Sequence, residues 1–147
     1  MLKENHYQHN IEPNYWNILL KDLMDEKSVV DYRGQCAMEF GCGAGRNLVN
    51  MAILGGFSRV DGIDISKDNA RNSMSFFREK ISSPDVQCVC LEGDGYSCRP
   101  LPSNQYKFVM SDQVFIHIPN YEVRKSIILD IKRVMVKGGC LSCISST

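Results

Sequence analysis

The sequence has no apolar run of membrane-spanning length, and its first residues, "MLKENHYQHNIEPNYW", carry charges where a secretory signal would be apolar. These absences remove membrane-spanning and secreted classes, so the expected location is cytoplasmic. It also lacks net charge, with 17 Lys plus Arg against 17 Asp plus Glu, which gives no support for a broad nucleic-acid footprint. Internal repeats and low-complexity segments are missing too, and 147 residues suit one domain with one sizeable core. A closed disulfide set is excluded by the odd count of 7 cysteines. The pairs in "CVC" (Cys88, Cys90) and "CLSC" (Cys140, Cys143) could be read as two metal half-sites. Cysteines packed as small hydrophobes in strands are the simpler account, and no metal is expected.

What is present is an alternation of short apolar strands and amphipathic helices. Pro13 suits the first turn of a helix whose stripe is Tyr15, Trp16, Leu19, Leu20, Leu23 and Met24. Gly34 breaks the chain before the strand "CAMEF", which runs into a glycine loop. "AGRNLVNMAIL" reads as a helix ended by Gly55 and Gly56. "RVDGIDI" is a second strand, and Ser66 can cap a helix with Ala70, Met74, Phe77 and Ile81 on its buried face. "VQCVCL" and "YKFVMS" are further strands, separated by a proline-containing loop over 96–105. Asn120 can cap a helix with Val123, Ile127, Ile131 and Val134 inside; "VKGG" then reads as a turn before a fifth strand, "CLSCIS". The expected fold is α/β: a doubly wound, mostly parallel sheet from residue 36 to the end, with a helical segment over 1–35 packed on it.

The glycine loop carries the functional signal. Gly41, Gly43 and Gly45 let backbone approach a ligand without Cβ atoms in the way, at the strand ends where open sheets place their sites. The dinucleotide fingerprint G-x-G-x-x-G is not met, because "GCGAGR" puts Arg46 where the last glycine belongs. Glu39 beside the loop would repel a pyrophosphate and attract a cation. Asp64 after the second strand suits ribose hydroxyls, and Asp94 in "EGDG" suits an exocyclic amine. Three acids after three strands match a ligand with an ammonium, a ribose and an adenine. An NAD-dependent oxidoreductase is the weaker alternative, sharing the fold and Asp64.

With "AMEFGCGAGRNLV", "VDGIDIS", "LEGDG", "YKFVMSDQVFIHIP" and "IKRVMVKGG" in this order, the chain resembles the class I S-adenosylmethionine-dependent methyltransferases, most closely the broad small-molecule group. The resemblance implies a Rossmann-like core that binds S-adenosyl-L-methionine. Glu39 would hold the methionine amino group, with Gly41 and Gly43 lining the methionine and ribose portion. Asp64 would take the ribose hydroxyls, Ile65 would pack on the adenine, and Asp94 with Gly95 would meet the adenine amine. Ser111, Asp112 and Gln113 would approach the methionine end and the substrate mouth. His117 matches a histidine found before "IP" in similar sequences. It is one candidate general base, or a packed side chain, and Asp112 is another candidate, or a substrate-binding group. The segment "SDQVF" lacks the Asn-Pro-Pro-aromatic run of DNA amino-methyltransferases, which favours a small-molecule acceptor while leaving protein and nucleic acid open.

The family's usual sixth and seventh strands have no counterpart after Thr147, so the fifth strand is expected at an open sheet edge, available to a partner or to self-association. A binding module without catalytic competence is the corresponding alternative function.

Overall fold

The computed structural model describes residues 32–145. The expected N-terminal helix, with Tyr15, Trp16 and Leu19, lies outside the described residues.

Five strands form one parallel sheet in the order β3-β2-β1-β4-β5: β1 (Cys36–Phe40), β2 (Arg59–Asp64), β3 (Gln87–Glu92), β4 (Tyr106–Asp112) and β5 (Met135–Ile144). Helices α1 (Arg46–Gly55) and α2 (Lys67–Lys80) follow β1 and β2, and α3 (Tyr121–Val134) joins β4 to β5. This is the expected doubly wound α/β architecture. Parallel neighbours need such crossovers, and crossovers on both faces bury the sheet on both sides.

Two apolar layers result. Ala37, Val60, Phe108 and Met110 meet Leu48 and Met51 of α1 and Ala70 and Phe77 of α2 on one face. Met38, Phe40, Ile63 and Val109 meet Ile127, Ile131 and Val134 of α3 on the other. The period of two along β1 and β4 therefore puts Glu39 and Asp112 on the α1 side. The caps read from sequence are in place. Ser66 Oγ accepts from Asn69 N at 3.2 Å, and Asn120 Oδ1 accepts from Glu122 N at 2.9 Å.

Two features depart from expectation. β5 begins at Met135 rather than Cys140. Tyr106 pairs with Met135 and Phe108 with Cys140, so "VKGG" is an outward irregularity inside the strand, with Gly138 at φ 75°. The two cysteine pairs lie on β3 and β5, at opposite edges of the sheet, and so cannot share one ion. Among the described residues no helix is long and apolar enough to cross a membrane.

Candidate functional site

Strand order reverses between β1 and β4, and the crevice at such a switch point is where an open α/β sheet binds ligands. The glycine loop occupies this point. Gly41 N and Cys42 N both donate to Ile63 O, at 2.8 and 3.1 Å, tying the loop to the end of β2. Gly41 has φ 78°, and a Cβ there would run into Val114. Gly43 has φ 52° and open space where its Cβ would be. At Gly45 (φ 91°) the constraint is helix packing, since a Cβ would sit 2.9 Å from Ser73 Cβ. The loop glycines thus divide between ligand access and helix packing.

Beside the loop is a cavity of about 290 Å³ whose wall includes Phe40, Gly41, Ile63, Asp64, Ile65 and Gly95, together with Gln113, Val114 and His117 from the segment after β4. Its lining is mostly apolar. Ile65 is 69% exposed and leans on Gly95, where a Cβ would come within 2.8 Å of Ile65 Cδ1. Such a side chain offers a flat face to an aromatic ring. Asp64 Oδ2 accepts from Gly43 N at 2.9 Å, while Oδ1 accepts from Ser66 N at 2.9 Å and from Asn69 Nδ2 at 3.3 Å. The residue therefore braces the glycine loop against the start of α2 while bordering the cavity.

On the α1 side lies a polar cluster. Glu39 is 2% exposed, and its Oε1 accepts from Asn47 Nδ2 at 2.8 Å. Asn47 Nδ2 also donates to Asp112 Oδ2 at 3.2 Å, and Arg46 Nη2 donates to the same oxygen at 3.1 Å. Glu39 Oε2 and Asn47 Oδ1 are buried without a hydrogen-bond partner among the described residues. Burial holds the Glu39 carboxyl well above its usual range; the Asn47 bond opposes that shift and Asp112 adds to it.

The predicted site residues divide accordingly. Gly41, Asp64, Ile65, Gly95 and His117 border one cavity, and Gly43 is bonded to Asp64 at its rim. Four others do not line it, and one of these is Glu39, held in the cluster on the α1 side. Asp94 turns back on its own loop, its Oδ1 accepting from Tyr96 N and Ser97 N at 2.8 Å each and its Oδ2 from Ser97 Oγ at 2.9 Å. The Tyr96 bond chiefly holds its carboxyl below the usual range. Ser111 is buried, its Oγ donating to Phe40 O at 3.1 Å just beyond the last β1–β4 pair, Glu39↔Met110. Asp112 ends β4 rather than lying in the following loop, so alternation sends its carboxylate to Arg46 and Asn47. His117 is exposed at the end of a single 3-10 turn over Phe115–His117.

Sequence reasoning passed over Asn47 and Val114 and treated Arg46 only as a mismatch to the dinucleotide pattern. A polar residue in the first turn of a helix, on the side facing an interior strand acid, was the available signal for Asn47. Gln113, expected near the site, adopts φ 62°, an unusual backbone for a residue other than glycine, and borders the cavity.

Comparison with known proteins places the chain. Residues 38–143 match the family described as "Methyltransferase domain". No curated protein matches the chain. Among solved structures, a chain of the Haloferax volcanii complex containing the Trm112 methyltransferase activator superposes with TM-score 0.66 at 20% identity, covering 95% of this chain and 56% of that one. An S-adenosylmethionine-dependent methyltransferase from Mesorhizobium loti gives TM-score 0.61 at 18% identity, covering 86% and 50%. The cyclase SpnF gives 0.66 at 22%, covering 88% and 43%. The chain thus spans about half the length of the solved structures it matches, and at these identities the likeness shows the fold.

Proposed function

Because the chain belongs to the methyltransferase domain family, we propose that it binds S-adenosyl-L-methionine at the β1–β4 crevice and transfers the methyl group to a small-molecule acceptor. The carrying observation is Glu39: a buried carboxyl with one unpartnered oxygen, just before a loop in which Gly43 leaves open space. A buried acceptor without a donor is costly, and a ligand ammonium would satisfy it. The apolar wall with exposed Ile65 suits an adenine, and Asp64 at the rim suits ribose hydroxyls. Asp94 has both carboxylate oxygens engaged with its own loop, so an adenine amine would share an oxygen that already accepts. Arg46, the basic residue at the start of α1, is paired with Asp112 rather than held for a pyrophosphate.

When bound, the cofactor supplies a methyl group already activated by a sulfonium charge. What the protein must add is alignment and exclusion of water, so no covalent nucleophile is required. Gln113, Val114 and His117 bring the segment after β4 to the same cavity, and we assign the acceptor to that side. His117, exposed there, is the candidate proton acceptor. Asp112 serves instead to fix Arg46 and Asn47. Ser111 holds β1 to β4 behind the site.

Among the described residues β5 is a terminal strand of the sheet, and we assign any partner strand to its outer edge. A binding module without turnover is the second reading. What bears on it is the match to SpnF, a cyclase on the same fold, since fold alone does not fix the reaction.

Calorimetric titration with S-adenosylhomocysteine is the test. Micromolar to submillimolar binding supports the reading, and no binding at millimolar ligand refutes it. Label transfer from the donor to an acceptor panel then separates enzyme from binding module.

A further inference from the structure

The two orphan acceptors at the site are on side chains already joined to each other. Glu39 Oε1 takes a hydrogen bond from Asn47 Nδ2 at 2.8 Å, yet Glu39 Oε2 and Asn47 Oδ1 have no donor among the described residues. An ionised Glu39 is an acceptor only and can relieve neither orphan. A protonated Glu39 would carry a donor as well as an acceptor: an O–H turned to the amide oxygen would relieve both orphans while the amide N–H donates to the acid carbonyl. Asn47 then has one N–H left, which is the one Asp112 Oδ2 accepts at 3.2 Å. The amide orientation is fixed as well, because a flipped Asn47 would turn its carbonyl against two carboxyl groups.

Groups on three elements bear on Glu39: Arg46 on α1 favours ionisation, Asp112 on β4 opposes it, and Cys90 on β3, a buried thiol, adds least. Arg46 is already bonded to Asp112 at 3.1 Å, which offsets much of its field at Glu39. Burial, the largest influence, also favours the neutral acid.

We propose that, in the ligand-free protein, Glu39 and Asn47 form an acid–amide pair that holds one proton, and that the ammonium of an adenosyl amino acid replaces this proton on binding. The inference rests on the reading of the site given above. The exchange balances: Glu39 releases one proton to solvent, and the carboxylate left behind accepts from the incoming ammonium. Asn47 is a positioning residue that keeps the carboxyl aimed in both states. Discrimination follows, because an adenosine compound without an aliphatic ammonium has nothing to exchange for the proton.

The pH dependence has a definite sign. Glu39 is raised above the usual carboxylate range in the empty protein and lowered by the bound ammonium. Between those two values binding releases a proton, so affinity increases about tenfold per pH unit as pH rises. Above the empty-state value the affinity levels off.

The experiment is calorimetry of the full chain with S-adenosylhomocysteine between about pH 5 and pH 8, in buffers of differing ionisation heat, alongside carbon-detected NMR titration of the Glu39 carboxyl in the ligand-free protein. Near one proton released per ligand at the acidic end is expected, falling toward none at the alkaline end. Glu39→Gln should abolish the release, and methylthioadenosine, which lacks the amino-acid tail and its ammonium, should bind without it. Asn47→Ala should shift the pH at which release fades, because it removes the side chain bonded to the carboxyl, whereas a purely structural role for Asn47 would weaken binding equally at every pH. Binding with buffer-independent heats throughout, or a Glu39 carboxyl already ionised at about pH 5, would overturn the proposal. A complete lack of binding heat would refute the S-adenosyl reading, and the NMR titration would still decide whether Glu39 holds its proton.

Discussion

A methyl group added at Gly41 would collide with Val114, whereas one added at Gly43 would meet nothing within 4 Å, although both residues have positive φ. Backbone strain alone should therefore make Gly43→Ala cost about 1–2 kcal/mol. Gly41→Ala should cost about 1–3 kcal/mol beyond that, because Val114 must move. Urea unfolding of the two variants checks the ranking, and equal losses would show that Val114 yields freely. Asp61 has a different task. It is buried and accepts from Tyr106 Oη at 2.7 Å, Arg59 Nε at 2.8 Å and Val89 N at 3.0 Å. Burial and the Asp61 carboxylate push the Tyr106 phenol up. Asp61→Ala strands these donors and should cost about 3 kcal/mol, while ligand affinity of the folded fraction stays unchanged. Sequence gave Asp61 a structural part and Asp64 a ligand part. They differ by three positions on one strand, and only the second reaches the strand's carboxyl end.

Elements were legible where pattern and cap agreed. α2 and α3 had Ser66 and Asn120 at their starts and a helical apolar stripe behind them, and both caps are made. The start of β5 was not legible. "VKGG" has turn composition, and only the pairing of Met135 with Tyr106 makes it a bulge within a strand. Asp112 was misplaced for a related reason. One more residue in β4 changes which face a side chain takes, and local composition cannot count strand ends to one residue. The loop after β3 is held by tertiary contacts that no local pattern announces. Asp130 Oδ2 accepts from Cys98 N at 2.6 Å, and Arg133 donates to Cys98 O and Leu101 O at 3.0 and 3.1 Å. Asp130→Ala should speed amide exchange over 96–101 more than elsewhere; uniform exchange would contradict this pin. The Arg133 guanidinium holds the Asp130 carboxyl below the usual range. This contribution is thus complete above the ordinary aspartate value, about 3.9, and is lost as pH falls through the lower folded value. Loop protection should persist from neutrality to about pH 4 and fade below it.

For the whole molecule, the sheet order and the match over residues 38–143 fix the frame, while the solved structures retain it at about one-fifth identity. A frame that tolerates such divergence is set by strand–helix alternation and two apolar layers rather than by individual contacts. This explains why fold and crevice were readable from the sequence, while the Glu39–Asn47–Asp112 cluster required coordinates. A ligand that binds only the folded chain stabilises it by mass action. S-adenosylhomocysteine at 100 times its dissociation constant should add about 2.7 kcal/mol and raise the melting temperature by several degrees. NADH at the same concentration should leave it unchanged, and the reverse pattern would favour the dinucleotide reading.

The most direct measurement is a crystal structure of the chain grown with S-adenosylhomocysteine. The account predicts density at the carboxyl ends of β1 and β4, with the amino group within hydrogen-bond distance of Glu39 Oε2 and the adenine against Ile65. An empty crevice in crystals of a protein that binds the compound in solution, or an amino group directed away from Glu39, would contradict it.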